Sequence, residues 1–139
     1  GLDLDTGFGL AKVWTFTGGP TPIDQFLKLE TLPDGVRRRG EFFARHGLRH
    51  VFFVASDFQQ TSMNVYFGLE DDCRDERWLR ALVDATGGGP ADPAAYSRML
   101  ASLAVSAGVG TTFFWDRPDM GRWALYALNV PCDDPAASA

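Results

Sequence analysis

The stretch that decides the fold is HVFFVASDFQQTSMNVYFG, His50 to Gly68. Two β-rich runs, 50–57 and 61–68, flank the short polar connection Phe58-Gln59-Gln60, the pattern of a hairpin. In the second run Met63, Val65 and Phe67 alternate with Ser62, Asn64 and Tyr66, so the two sets leave the strand on opposite faces. The apolar set suits a covering layer of helices. The polar and aromatic set must point the other way.

Working outward, the same kinds of segment recur. Residues 9–17, GLAKVWTFT, predict a strand ending at Gly18-Gly19-Pro20, with Leu2 to Thr6 as its hairpin partner and Gly7 and Gly9 in the turn. Ile23, Phe26, Leu27 and Glu30 fall at helical spacing over 22–30, and Pro33-Asp34 introduces a second helix over 35–46 that ends at Gly47. Beyond the central hairpin, Asp75 caps a helix over 75–86 whose stripe is Trp78, Leu79, Leu82 and Val83, ending at Gly87. Asp92-Pro93 opens another, with Tyr96, Met99, Leu100 and Leu103 as its stripe. Residues 109–115 and 122–130 form a third hairpin across Asp116-Arg117-Pro118-Asp119.

The order is ββ-αα-ββ-αα-ββ, a supersecondary repeat of about 50 residues. The expected fold class is α+β: an antiparallel sheet curling into a barrel or partial barrel, with helices outside. Residues 1–130 form one domain, and 131–139, rich in Ala, Asp and Pro, form a flexible tail.

Strand alternation then sorts the side chains. In the first long strand Ala11, Val13 and Thr15 alternate with Lys12, Trp14 and Phe16; in the last, Trp123, Leu125 and Ala127 alternate with Arg122, Ala124 and Tyr126. The face turned from the helices therefore carries Lys12, Asn64 and Arg122 among Trp14, Phe16, Tyr66 and Tyr126. A wet sheet face is ordinarily Thr-, Lys- and Glu-rich; an aromatic one with two cations reads as the lining of a ligand site in a curled sheet.

Composition narrows the function. The chain has 139 residues, 45% hydrophobic and 22% charged, the balance of one globular domain. Thirteen Lys plus Arg against 18 Asp plus Glu give a net charge of −5, which argues against broad nucleic-acid or anionic-membrane binding. No apolar run reaches the roughly 20 residues of a membrane span, and no signal-peptide pattern opens the chain. Cys73 and Cys132 are too few for a disulfide framework and read as reduced cytoplasmic thiols.

The segment Glu41 to Gly68, above all Asp57 to Phe67 with its Met63-Asn64-Val65-Tyr66-Phe67, resembles the ABBA-type aromatic prenyltransferases. The similarity continues through Phe114-Trp115-Asp116 and Arg122 to Tyr126, and reaches back to Lys12-Val13-Trp14. The resemblance implies a ten-stranded antiparallel barrel with its site in the lumen. It implies an enzyme of secondary metabolism that moves a prenyl group from an allylic diphosphate to an electron-rich aromatic small molecule. It places Lys12, Asn64, Arg122 and Ser62 at the diphosphate, and Trp14, Tyr66, Phe16 and Tyr126 in the aromatic wall around prenyl group and acceptor. No individual catalytic residue is singled out.

The chain also departs from the family. Gln60 stands where many members carry Lys or Arg, and Gly110 where a phosphate-contacting Tyr is common. Six strands cannot close ten, and the length is about half that of a typical member. An open sheet with exposed edges and an aromatic face favours a homodimer or higher assembly. The alternative function is a catalytically silent small-molecule-binding or scaffold protein built on half a barrel; a fragment with no independent role is the third.

Other signals are weaker. His46 and His50 straddle Gly47 at a helix end and cannot share a helix face, so they form no metal pair. No cofactor is expected, with magnesium at Asp3 and Asp5 the one metal considered. Glu70, Asp71, Asp72, Asp75 and Glu76 suit the start of a helix. Arg37, Arg38 and Arg39 read as a solvated helix face. Gly87-Gly88-Gly89-Pro90 lacks the Gly-Lys-Ser/Thr of a phosphate loop, and no Gly-x-Ser-x-Gly elbow occurs.

Overall fold

A computed structural model describes residues 1–69, 75–85, 92–102, 107–117 and 120–127. Six strands, β1 Leu2–Asp5, β2 Gly9–Pro22, β3 His50–Asp57, β4 Ser62–Gly68, β5 Ala107–Phe114 and β6 Met120–Ala127, form one sheet in sequence order. Every neighbouring pair is antiparallel. The helices α1 Ile23–Phe26, α2 Asp34–Arg37 and α3 Gly40–Arg45 lie between β2 and β3 in sequence; α4 Glu76–Asp84 and α5 Pro93–Ser102 lie between β4 and β5. The three expected hairpins are present and the α+β class holds. Among the described residues β1 and β6 are the two edges of an open sheet, a partial barrel.

One face of this sheet is the floor of the core. Val51, Val65, Phe67, Val109 and Phe113 meet Phe26, Val36, Phe43, Leu48 and Leu82 in one buried cluster. Phe43 stands near its centre, its ring 5.0 Å from that of Phe67 and 5.7 Å from that of Phe113. Burying a ring of this size contributes about 2–3 kcal/mol. Met63, Trp123 and Leu125 pack at its margin, so the odd-numbered residues of β4, and Trp123 and Leu125 of β6, face the helices as alternation predicts; the register shift at Thr112–Phe113 turns Met120 to the core as well.

The helices differ from expectation before β3. The stripe over 22–30 yields a single turn, with Phe26 buried and Leu29 half exposed. The helix over 35–46 is split in two at Arg38-Arg39, where Arg39 leaves helical geometry with φ −94° and ψ 11°. Arg37 is exposed, and its guanidinium also donates to the carbonyls of Glu30 (2.8 Å) and Leu32 (3.0 Å), satisfying the chain between α1 and α2. Arg38 makes only an exposed pair with Asp34, 3.7 Å apart, of the kind worth little. Gly47 does follow the last turn with a φ of 65°, as a C′ residue should.

β2 also runs past the predicted end at Gly18. Its pairing with β3 slips between Phe16 and Thr21, a bulge that absorbs both glycines. The Thr17 hydroxyl stitches it, lying 2.6 Å from the Gly19 carbonyl and 3.0 Å from that of Phe52.

On the other side of the helix layer, Asp75 caps α4 by accepting the Trp78 amide at 2.6 Å. Asp92 accepts the amide of Ala94 at 2.9 Å at the start of α5. The Trp78 indole donates to the His46 carbonyl at 2.8 Å and ties α4 to α3. Arg80 lies 4.4 Å over the Tyr96 ring and links α4 to α5. Cys73, Gly87 to Pro90, the acidic residues 70–72, Leu103, Cys132 and the tail lie outside the described residues, as does the Met99 side chain. Among the described residues no helix is long and apolar enough to cross a membrane.

His46 is buried at the end of α3, its ring 4.5 Å from that of Phe42. Burial, with a smaller push from the Arg45 charge, lowers its pKa below the ordinary 6.5. A base whose folded-state pKa lies below its unfolded value is neutral in the fold. The protein is therefore at full strength above about pH 6.5 and loses stability as pH falls from there towards the folded-state pKa. Urea midpoints at pH 7.5 and 5.5 should fall for the wild type, and fall less for His46→Gln; an equal fall in both would remove His46 as the cause.

Candidate functional site

Residues directly opposite one another on paired strands share a face. One cross-strand row runs Trp14, Ala55, Asn64, Thr112, Arg122 over five strands, β2 to β6. The row on one side is Lys12, Asp57, Ser62, Phe114. On the other side come Phe16, Phe53, Tyr66, Gly110, Ala124, and then Gly68, Gly108, Tyr126. All eight residues expected at the site thus stand on the face away from the helices. With strands about 4.8 Å apart, Asn64 lies roughly 10 Å from both Trp14 and Arg122 across the sheet.

Asn64 is the best-held polar group on this face, only 6% exposed. Its Oδ1 accepts the Thr112 hydroxyl at 2.8 Å, and its Nδ2 points to the Tyr66 hydroxyl at a longer 3.5 Å. The Tyr66 and Tyr126 rings follow at 5.7 Å between centroids, tilted by 54°. Tyr126 holds its proton above the usual tyrosine range, first because it is partly buried and next because of the neighbouring Tyr66; the charges of Arg122 and Lys12 oppose the shift.

Lys12 sits 5.1 Å over the Trp14 ring and 3.8 Å from an Asp57 carboxylate oxygen. The other Asp57 oxygen accepts the Gln60 amide at 2.8 Å and closes the β3–β4 turn. Ser62 is 4% exposed beside them. Arg122 and Tyr126 are exposed, and Phe16, 56% exposed, leans on Phe53 with rings 5.0 Å apart. The face is thus ordered at its middle and open at its rim, since six strands do not enclose it.

The acidic pair Asp3 and Asp5 does not gather into a cluster. Oδ1 of Asp5 accepts the amides of Gly7 and Phe8, each at 2.8 Å, and these bonds hold its pKa below the usual carboxylate value. It is a turn residue of the β1–β2 hairpin, while Asp3 pairs with Lys12 in register. Among the described residues no three His, Cys, Asp or Glu side chains group as a metal site.

The whole chain, residues 1–139, matches the family described as aromatic prenyltransferase Orf2. The chain belongs to that family. It is 33% identical over 131 residues to the 4-hydroxyphenylpyruvate 3-dimethylallyltransferase of Streptomyces niveus, covering 94% of this chain and 40% of that one. It is 31% identical over 133 residues to an aromatic prenyltransferase of Sclerotinia sclerotiorum, covering 93% and 42%. It is 29% identical over 138 residues to the flaviolin linalyltransferase of Streptomyces virginiae, covering 97% and 44%. The chain thus spans about two fifths of the length of these curated relatives.

Sequence reasoning missed Thr112 and Asp57. Thr112 was legible in the alternation of β5, where Gly108, Gly110, Thr112 and Phe114 oppose Val109, Thr111 and Phe113. Asp57 carries no such signal, because a carboxylate ending a strand ordinarily caps the next turn, and here it does so while also facing Lys12. Removing the amide of the buried Asn64 breaks its bond to the part-buried Thr112 hydroxyl, a loss of about 1–3 kcal/mol. Asn64→Ala should lower the unfolding free energy by about that amount in urea titration; an unchanged value would show that Asn64 does not hold this face together.

Proposed function

We propose that this face serves aromatic prenyl transfer, with a prenyl diphosphate and an electron-rich aromatic small molecule as its two ligands. The observation that carries this reading is the row Trp14–Ala55–Asn64–Thr112–Arg122 with Lys12 beside it, all on the helix-free face. Lys12, Arg122 and the amide of Asn64, with the Ser62 hydroxyl, receive the diphosphate. Arg122 suits it because a guanidinium forms paired bonds to phosphate oxygens. When the allylic C–O bond breaks, its electron pair leaves on the diphosphate, and these donors stabilise that charge. The carbon left behind is an allylic cation.

Trp14, Tyr66, Phe16 and Tyr126 stabilise that cation through their ring faces and keep water from it. The acceptor ring attacks the cation with its π electrons, a C–C bond forms, and loss of the ring proton restores aromaticity. Positioning the acceptor beside the cation supplies much of the rate. The names of the relatives, two of which specify dimethylallyl or linalyl transfer to an aromatic acceptor, support this reading. The two cations on the face supply the charge a divalent metal would otherwise bring, so no metal is assigned a step. A cytoplasmic setting fits the two cysteines.

The silent-binder alternative draws on the open sheet, whose rim residues Phe16, Arg122 and Tyr126 are exposed. The two separate in one assay: dimethylallyl and geranyl diphosphate against dihydroxynaphthalenes and 4-hydroxyphenylpyruvate, with magnesium or with chelator. Prenylated product is expected in both, and Arg122→Ala should lower kcat/KM about 10- to 100-fold. Ligand binding without product would establish the silent binder, and an unaffected Arg122→Ala would remove the diphosphate role.

A second copy of the chain covers the open face in this reading. Leu2 and Leu4 on the β1 edge are each 70% exposed, and Phe8, Phe16 and Phe53 are also exposed. Unpaired edges beside exposed apolar side chains drive association. Light scattering at micromolar concentration should give a dimer mass; a stable monomer would overturn this assignment.

A further inference from the structure

Gly110 occupies the middle of the aromatic face, opposite Tyr66 on β4 and Ala124 on β6. A Cβ placed on it would stand 2.8 Å from Cε2 of Tyr126 and 3.1 Å from Cε1 of Tyr66. Real carbons do not approach so closely, so the two rings lie where they do because Gly110 has no side chain. Two tyrosines from β4 and β6 are thereby laid over the backbone of the strand between them.

Their hydroxyl ends are not idle. The polar chain from the Thr112 hydroxyl to the Asn64 amide to the Tyr66 hydroxyl leads to Tyr126, whose ring lies 5.7 Å from that of Tyr66. Tyr126 is the outermost member and the accessible one, 37% exposed. Arg122 is four residues away on the same strand and face, roughly 13 Å along it. An anion held at the Asn64 amide lies beside the Tyr66 hydroxyl, 3.5 Å from that amide, and the Tyr126 ring comes next, 5.7 Å from that of Tyr66. The phenol keeps its proton at neutral pH and so can donate to it.

We propose that Tyr126 donates its hydroxyl to an oxygen of the bound diphosphate, and that Gly110 is the positioning residue that seats Tyr126 and Tyr66 for this contact. The assignment deepens the prenyl diphosphate reading above and rests on it. Gly110 has no contact with ligand; it acts through the two rings.

Two measurements test it, with inorganic pyrophosphate as the probe. In calorimetry Tyr126→Phe, which keeps the ring and removes the hydroxyl, should weaken pyrophosphate binding about tenfold. Equal affinity for wild type and Tyr126→Phe would overturn the inference. Failure of the wild type itself to bind pyrophosphate would overturn the diphosphate reading and this inference with it. In ultraviolet titration of the three tyrosines, the step lost in Tyr126→Phe identifies Tyr126. In Gly110→Ala that step should move down towards the ordinary 10.0 as the rings part, with circular dichroism unchanged. An unmoved step in a folded Gly110→Ala would overturn the positioning role whatever the binding data show.

Discussion

The structure depends on strand parity carried along one row of the ladders from β2 to β6. A strand's side chains alternate between faces, and hydrogen-bond register decides which residues of the next strand share each face. Trp14 opposes Ala55, Ala55 opposes Asn64, Asn64 opposes Thr112 and Thr112 opposes Arg122. The bulges fall beside this row and leave it intact: one between Phe16 and Thr21, one between Val51 and Phe53, and one between Thr112 and Phe113. A cation near each end of the face and an amide at its middle are therefore held by backbone pairing and need no loop to place them.

The same parity divides the labour of the two faces. The helix side takes Val65, Phe67, Val109 and Phe113 into a dry core with Phe43, Leu48 and Leu82. Close packing there fixes the strands, so the other face can carry aromatic and polar residues. Only at the centre does that second face acquire internal order, through Thr112, Asn64 and the two tyrosines. A fully satisfied buried amide stiffens its surroundings, whereas a half-satisfied one costs free energy.

The face of each strand was legible from residues alone because alternation is a local property: Met63-Asn64-Val65-Tyr66-Phe67 and Arg122 to Tyr126 each show it in five residues. The caps at Asp75 and Asp92 and the stop at Gly47 were legible for the same reason. What escaped was set by tertiary contact. The break at Arg38-Arg39, the return of Arg37 to two carbonyls, and the continuation of β2 through Gly18 and Gly19 all follow from where other segments lie. So did the meaning of Gly110, which reads as a missing side chain in sequence and as a shared seat for two rings in space.

The strand order β1 to β6 has a consequence for how the chain is made. Each strand finds its partner among its immediate neighbours along the polypeptide, with no crossover to a distant one. A nascent chain can then add strands to a growing edge as they emerge from the ribosome, each templated by the last. The unpaired rim at any moment is the place where the next segment docks, so growth of the sheet proceeds in the direction of translation.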